Sequence, residues 1–527
     1  MKYIALTLGP ITRTIETAEN TRGLWAASYL FSYLGKKIIE PFQNRDFLLP
    51  KITDDMFESG KFRGAGIFPD RYIFQSNESD FDNLKKHIDT VLNDLSQKMV
   101  EVINKPEKKE DCHYRIADKE SVKTFLQKYL KVYFFEKDFS DEENVKEICE
   151  QTLALLEMQE SFEPYINDKD AYLSRFFKKI PNSFLTADAG LSGGFPSIVE
   201  ISSDEETEKP EHPYQRYIAY VKADGDSMGR ALKKMKDAKL LSAALLEFNK
   251  KAPDTISQYN GFSIFTGGDD LLFLAPVFSK DKNASVFSLL QALDDVFHNS
   301  MKEKGKLIDS KDHPTLSFGV FISYYKYPMF EALSLADGLL SKAKAYNAPD
   351  EEKNNALKNN IVFSVQKHSG QTRETLLHKG HGDVIKSINK FVDKYLLVEN
   401  QDKSTDEKKE RKKILSSIMH GLREKEFLLR VAIRDNVMLG NFFTNNFNEV
   451  EHKHYKLFFE DLKNLLLIVY QAYLKDDSME RLKYSLPDFV KKDGCIDAEL
   501  TAIETVYGIL QFIHLVNQRN DKQDENI

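Results

Sequence analysis

Asp269 and Asp270 stand side by side in Ser263-Ile264-Phe265-Thr266-Gly267-Gly268-Asp269-Asp270-Leu271-Leu272-Phe273-Leu274. An apolar, β-prone run enters the Gly-Gly-Asp-Asp turn and a second leaves it, which predicts a β-hairpin. Two carboxylates ~4 Å apart repel by about 4 kcal/mol at an effective dielectric of ~20. A divalent cation removes that cost, and hard Mg²⁺ prefers carboxylate oxygen. Taken alone, the tetrapeptide is explained equally well as a solvated turn. A second acidic turn changes the balance. The strand-like run Tyr217-Ile218-Ala219-Tyr220-Val221-Lys222 ends in Ala223-Asp224-Gly225-Asp226-Ser227-Met228-Gly229, and a helical pattern follows. The order is β-α-α-β-β. If the two strands are neighbours, Asp224, Asp226, Asp269 and Asp270 come together as a two-metal carboxylate site suited to phosphoryl or nucleotidyl transfer.

The elements that must position these residues are legible along the chain. Residues 3–8 predict a strand broken by Gly9-Pro10. Residues 21–34 carry a helical apolar stripe holding the single tryptophan, Trp25, read as a core anchor. Residues 61–76 predict a hairpin with Pro69-Asp70-Arg71 near its turn, and 82–103 an amphipathic helix. Strand, helix, hairpin and helix repeat the order around the acidic motif, a weak internal duplication. The opening strand of the first copy lacks carboxylates, so that copy is expected to bind rather than react. Residues 104–180 read as polar and helical, Leu191 to Ile201 as a turn into a short strand, and 203–213 as an acidic linker. The second α/β unit covers about 215–370, with a strand at 316–323, a helix at 329–346 ending in Lys342 and Lys344, and a strand at 360–365. Lysines in a last helical turn ordinarily complement the dipole; in a nucleotide site one can instead reach a phosphate. His368 reads as a loop residue. From 414 to 516 the pattern is helical, and the polar tail 517–527 is expected to be disordered.

Composition narrows the classes. At 527 residues, two to four domains are expected. A net charge of −8 supplies no global basic field, so contact with RNA must come from a local patch or a partner subunit. Cys112, Cys149 and Cys495 are widely spaced without a CxxC, which argues against zinc and implies no disulfide. The short apolar start has no cleavage site after it, and no apolar run approaches the ~18 residues needed to span a membrane. A cytoplasmic protein is expected.

The chain resembles the large palm-domain subunit of type III CRISPR effector complexes, in its type III-B (Cmr) form. The resemblance rests on Thr21-Arg22-Gly23-Leu24-Trp25-Ala26-Ala27-Ser28-Tyr29-Leu30, Phe195-Pro196-Ser197-Ile198-Val199-Glu200-Ile201, Ala223-Asp224-Gly225-Asp226-Ser227-Met228-Gly229 and Gly267-Gly268-Asp269-Asp270, in family order. Ser317 to Val320 and the Ala343-Lys344 helix end are similar to that family and to its GGDEF-cyclase relatives. The resemblance implies an α+β fold of two ferredoxin-like palm domains, of the nucleotidyl cyclase or polymerase type, with a helical insert and a C-terminal helical domain. The expected division is a first palm over 1–103, a helical domain and linker over 104–213, the active palm over 214–370 and the helical domain over 371–527. It implies other Cmr subunits, guide RNA and target RNA as partners, no membrane, and activation when guide and target pair. The active palm would then convert ATP, with Mg²⁺ or Mn²⁺, into a second messenger.

Departures from the family pattern sharpen the expectation. No His-Asp dipeptide occurs anywhere in the chain, which argues against an HD nuclease and against DNA cleavage, and the family's four-cysteine zinc site is absent. Where the family's first palm typically has Pro-Asn-Arg, this chain has Pro69-Asp70-Arg71. A carboxylate facing the cleft disfavours a triphosphate and favours a cationic acceptor. Some family members that lack the HD domain join AMP to S-adenosylmethionine instead of making cyclic oligoadenylate. Asp70 is therefore either a turn residue beside Arg71 or the partner of a methionine ammonium.

In the expected mechanism Asp224, Asp269 and Asp270 are catalytic, and these three with Asp226 hold the metal ions. Gly267 and Gly268 admit the triphosphate to the backbone, with Gly225 beside them. Lys344 holds the β- and γ-phosphates. Ser227 touches the phosphates or caps the following helix. Two rivals stand beside this reading, a catalytically silent scaffold subunit and a stand-alone cyclic-dinucleotide cyclase.

Overall fold

The computed structural model describes residues 1–62, 64–105, 116–140, 144–158, 171–191, 195–203, 210–229, 231, 238–303, 314–345, 358–366, 372–379, 382–396, 405–447, 456–475 and 497–516. Cys112, Cys495, His368 and the tail 517–527 lie outside the described residues.

Twelve strands are described, in chain order β1 (Lys2–Gly9), β2 (Phe47–Leu49), β3 (Arg71–Gln75), β4 (Lys131–Asp138), β5 (Tyr217–Asp226), β6 (Phe262–Gly267), β7 (Asp270–Pro276), β8 (Phe278–Ser279), β9 (Ala284–Ser285), β10 (Thr315–Tyr324), β11 (Asn360–Gln366) and β12 (Thr372–His378). The first sheet has the order β2-β3-β1-β4 and is antiparallel throughout. The second has the order β12-β11-β10-β5-β7-β6 and is antiparallel except between β10 and β11. Within it, β6-β7-β5-β10 repeats the order of the whole first sheet. In both sheets the first strand is central and a helix follows it, and the returning fourth strand closes on its other side. The duplication legible as a pattern of elements is thus a duplication of ferredoxin-like topology.

Alternation along β1 explains its two-sided burial. Ile4, Leu6 and Leu8 join the main core, which includes the helix Thr21–Ile39. Tyr3 and Ala5 face the other way, into a separate cluster with Val145, Cys149 and Leu153 of the helix Val145–Met158. Trp25 is the core anchor expected of it. It is fully buried, stacks on Tyr29 and meets Phe195 at a tilt of 47°, with ring centroids 4.8 Å from each, and donates from Nε1 to the Gly64 carbonyl at 2.7 Å. Phe195 in turn meets Phe262 of β6 at 6.3 Å, which carries the packing from the first unit to the second.

Four expectations are corrected. Residues 61–76 do not form a hairpin: β3 pairs with β2 and β1, and the chain between β2 and β3 is a long loop with a 3-10 turn at Asp54–Phe57. The stretch expected to be helical from 104 contributes β4, because its alternating apolar side chains complete the first sheet against β1. Ile198–Ser203 is a helix and not a strand. Its start is a reciprocal capping box, with Glu200 accepting from the Ser197 N–H at 2.5 Å and Ser197 Oγ from the Glu200 N–H at 3.2 Å. Finally, β12 extends the second sheet beyond residue 370, and helices follow it from Gly382–Tyr395 to Ala498–Val516. No helix among the described residues is long and apolar enough to cross a membrane.

Candidate active site

The hairpin is formed as its sequence predicts. Gly267 of β6 pairs with Asp270 of β7, leaving Gly268 and Asp269 at the tip. Gly268 has φ +63°, a left-handed conformation that a glycine adopts without steric cost. The tip lies against β5. A Cβ on Gly225 would sit 2.6 Å from Asp269 Cβ and 2.8 Å from its Oδ2, so only a glycine at 225 lets the two acidic segments meet this closely.

The acidic segment of β5 is not an open turn. The strand continues through residue 226, with Ser317 and Thr315 of β10 registered opposite Asp224 and Asp226. Asp224 ion-pairs with Lys344, in the last turn of the helix Met329–Ala345, and the Lys344 ammonium also donates to the Gly225 carbonyl at 3.3 Å. Lys344 therefore stands at the carboxylates. Ser227 follows with φ +59°, and its carbonyl accepts from the Ala231 N–H at 3.0 Å, the first bond of a helical turn. That arrangement favours the helix-starting role over the phosphate contact.

Asp226 departs from its expected role as a metal ligand. It is 1 % exposed, and its Oδ2 accepts from Ser317 Oγ at 2.6 Å, Thr315 Oγ1 at 2.9 Å and the Asn359 N–H at 2.9 Å. Its Oδ1 has no hydrogen-bond partner among the described residues. Burial raises its carboxyl above the ordinary range against the lowering effect of those three donors. Asp226 ties β5 to β10 and to the start of β11, because strand pairing carries it inside the sheet.

Asp269 and Asp270 behave as a crowded acidic pair. Enclosure by protein and the nearby Asp224 push Asp269 up to about 6. Enclosure, Asp224 and Asp269 push Asp270 up to about 8, and Lys344 opposes both shifts. Asp270 is nevertheless open to solvent, so it forms the exposed floor of the acidic cluster.

The first unit reaches this floor. Asp70 immediately precedes β3, the position that Asp269 holds before β7, and its charge adds to the upward push on Asp270. Burial raises the Asp70 carboxyl itself, opposed by Arg71. Arg71 pairs with Glu157 at 2.6 Å, and Glu157 also accepts from Thr7 Oγ1 at 2.6 Å. Lys146, on the same helix as Glu157, lowers Asp269. The polar, helical pattern of 104–180 does not single out Lys146 and Glu157, because packing decides which charged residues of a helix approach Asp269 or Arg71.

These residues fit a hard divalent cation. The donors are all carboxylate oxygens whose mutual repulsion a cation relieves. Among the described residues no three His, Cys, Asp or Glu side chains converge as a metal cluster, so the expected four-carboxylate cage is not assembled. Mg²⁺ requires no such cage, since one or two carboxylates and substrate phosphates commonly hold it.

Comparison with known proteins gives a consistent family. Residues 217–357 match the model of the Cas10/Cmr2 second palm domain, and residues 3–104 match that of the CRISPR-associated protein Cmr2 N-terminal region. The CRISPR system Cmr subunit Cmr2 of Pyrococcus furiosus is 30% identical over 131 residues, which are 25% of this chain and 13% of that protein's length. Among solved structures, a chain of the type III-B Cmr-beta complex in its apo state is similar with a TM-score of 0.50 at 11% identity, over 98% of this chain and 82% of the other. A chain of the Csm1-Csm4 cassette in complex with cA4 gives 0.48 at 11% identity, over 98% and 70%.

Proposed function

We propose that this chain, a member of the Cas10/Cmr2 family of type III CRISPR large subunits, is the RNA-activated nucleotidyltransferase of a Cmr complex. In this reading the chain works with other Cmr subunits, guide RNA and target RNA. It uses ATP to make an adenylate second messenger, cyclic oligoadenylate or AMP joined to S-adenosylmethionine. The domain division follows the duplication: a first palm that holds the acceptor, a helical insert, a second palm that carries the chemistry, and a helical C-terminal part.

The observation that carries the proposal is the meeting of Asp224 with the Asp269-Asp270 turn at Gly225, with Lys344 beside them. Asp224, Asp269 and Asp270 are positioned to hold Mg²⁺ or Mn²⁺, which would lower the pKa of the attacking hydroxyl and neutralise charge developing on the α-phosphate. Lys344 is positioned to exchange Asp224 for the β- and γ-phosphates. The backbone at Gly268 leaves room for the triphosphate, since a Cβ there would meet nothing within 4 Å; at Gly267, the other glycine expected to admit it, the Phe265 ring fills that space, 2.4 Å from where a Cβ would sit. A ribose hydroxyl oxygen forms the new bond to the α-phosphorus, pyrophosphate departs with the broken P–O bond, and the hydroxyl proton passes to solvent.

On the acceptor side, two observations favour S-adenosylmethionine. Asp70 adds negative charge beside Asp270, and Arg71 is already neutralised by Glu157, so this wall offers a cation more than a triphosphate. The test is product analysis by mass spectrometry. The complex assembled with guide and target RNA is given ATP and Mg²⁺, with and without S-adenosylmethionine. Asp269→Ala with Asp270→Ala is expected to abolish product while assembly persists; synthesis near the wild-type level would refute the site. Cyclic oligoadenylate output unchanged by S-adenosylmethionine would remove the acceptor assignment and leave the rest standing.

A further inference from the structure

Two arms of the site converge on one fully buried residue, Asn360, at the start of β11. Its Nδ2 donates to the Ala343 carbonyl at 3.0 Å, and its backbone N–H to Ser317 Oγ at 3.2 Å. Ala343 directly precedes Lys344, and Ser317 Oγ is the 2.6 Å donor to Asp226. The neighbouring Asn359 adopts φ +77°, a conformation asparagine tolerates better than most residues, and presents its own N–H to Asp226.

The amide orientation of Asn360 is dictated by its partners. A carbonyl can only accept, so Nδ2 must face Ala343, and Oδ1 is left to accept from His378 Nδ1 at 2.8 Å. Asn360 and His378 are directly paired across β11 and β12, and they are 0 % and 1 % exposed. The Ala343 carbonyl is among the last four of its helix and has no acceptor role inside the helix. The Asn360 amide satisfies that carbonyl and ties the last turn carrying Lys344 to the sheet.

We infer that Asn360 is a positioning residue for nucleotide binding: its side chain holds Lys344 through the Ala343 carbonyl, its backbone N–H meets the Ser317 hydroxyl that donates to Asp226, and His378 fixes the orientation of its amide. The inference rests on the reading of Lys344 as a triphosphate contact. His378 in turn hydrogen-bonds through its backbone with Tyr473 of the helix Lys456–Lys475, so the network begins in the C-terminal helical part and ends at β5.

The experiment uses the full complex with guide and target RNA. The Michaelis constant and kcat for ATP, equilibrium binding of a non-hydrolysable ATP analogue, and the melting temperature are measured together. Asn360→Ala is expected to raise the Michaelis constant and weaken analogue binding about tenfold, the scale of one lost neutral hydrogen bond. His378→Phe, which removes the Nδ1 donor to Oδ1 without altering β11, is expected to shift both in the same direction by less. In a Lys344→Ala background, Asn360→Ala is expected to add nothing to the binding defect, because it acts through that lysine. Phe363→Leu, on the opposite face of β11, is the control for lost packing alone, and should lower the melting temperature without moving the Michaelis constant. Additive defects in the double variant, an equal shift in Phe363→Leu, or unchanged ATP parameters in Asn360→Ala beside an active wild type would overturn this inference alone. A wild-type complex that neither binds the analogue nor turns over ATP would take down the proposed function as well.

Discussion

Gly225 of β5 and Asp269 of the hairpin turn are so close that a methyl group on the glycine would sit 2.6 Å from the Asp269 Cβ, and 3.0 Å from Met228 Cγ on its other side. The contact joins two acidic segments far apart in the chain. Gly225→Ala must push the turn off β5. Overpacking of this kind costs about 1–3 kcal/mol. Displacement of reacting groups by ~1 Å costs about a hundredfold in rate. Assembled complexes of this variant should therefore form normally and turn over ATP about a hundredfold more slowly, measured by pyrophosphate release.

The crowding of Asp269 and Asp270 makes stability depend on pH. Their folded-state values, about 6 and about 8, lie above the ordinary carboxylate value of about 4. Folding then favours the protonated forms, and the stability they contribute is present below about pH 4 and lost as pH rises toward 8. Asp270→Asn removes the larger part of that loss and leaves only the smaller part from Asp269. Its melting temperature in the absence of divalent metal should match wild type near pH 4 and exceed it increasingly up to pH 8. Mg²⁺ should stabilise wild type more at pH 8 than at pH 6 and should do little for the variant.

Lys344 lowers both carboxyls of the turn and pairs with Asp224. Lys344→Ala should raise those pKa values further, moving the acidic limb of the kcat/KM profile to higher pH. The Michaelis constant for ATP should rise as the phosphates lose a cation. A pH profile identical in position to that of wild type would contradict the assigned contact.

Asp226 is expected to matter for integrity rather than for metal. Asp226→Ala leaves Thr315, Ser317 and the Asn359 N–H without their acceptor, at a cost of about 1–3 kcal/mol. Asp226→Asn keeps one acceptor oxygen and should lose less. Mn²⁺ binding measured by electron paramagnetic resonance should change little in the Asn variant and fall in Asp270→Asn.

The sequence by itself determined the hairpin, the strand before the first acidic motif, the buried Trp25 and the presence of two related units. Each is a local signal: alternation of apolar residues, a glycine at a tight turn, or an order of elements repeated along the chain. Asp224, Asp269, Asp270 and Lys344 were legible for the same reason, because charge placed at a turn or a helix end has no local structural explanation that excludes a site. Tertiary structure alone decided the rest. Strand pairing drew Asp226 into the sheet, brought β4 into the first sheet from a stretch that read as helical, and separated β2 from β3 by a loop instead of a tight turn. The approach of Lys146 to Asp269 and of Glu157 to Arg71, and the convergence of Ala343, Ser317 and His378 on Asn360, depend on which faces of distant elements pack together. Pairing and packing between residues distant along the chain leave no periodic trace in either segment, so nothing in the local pattern of residues distinguishes a carboxylate that lines the cleft from one that ties two strands.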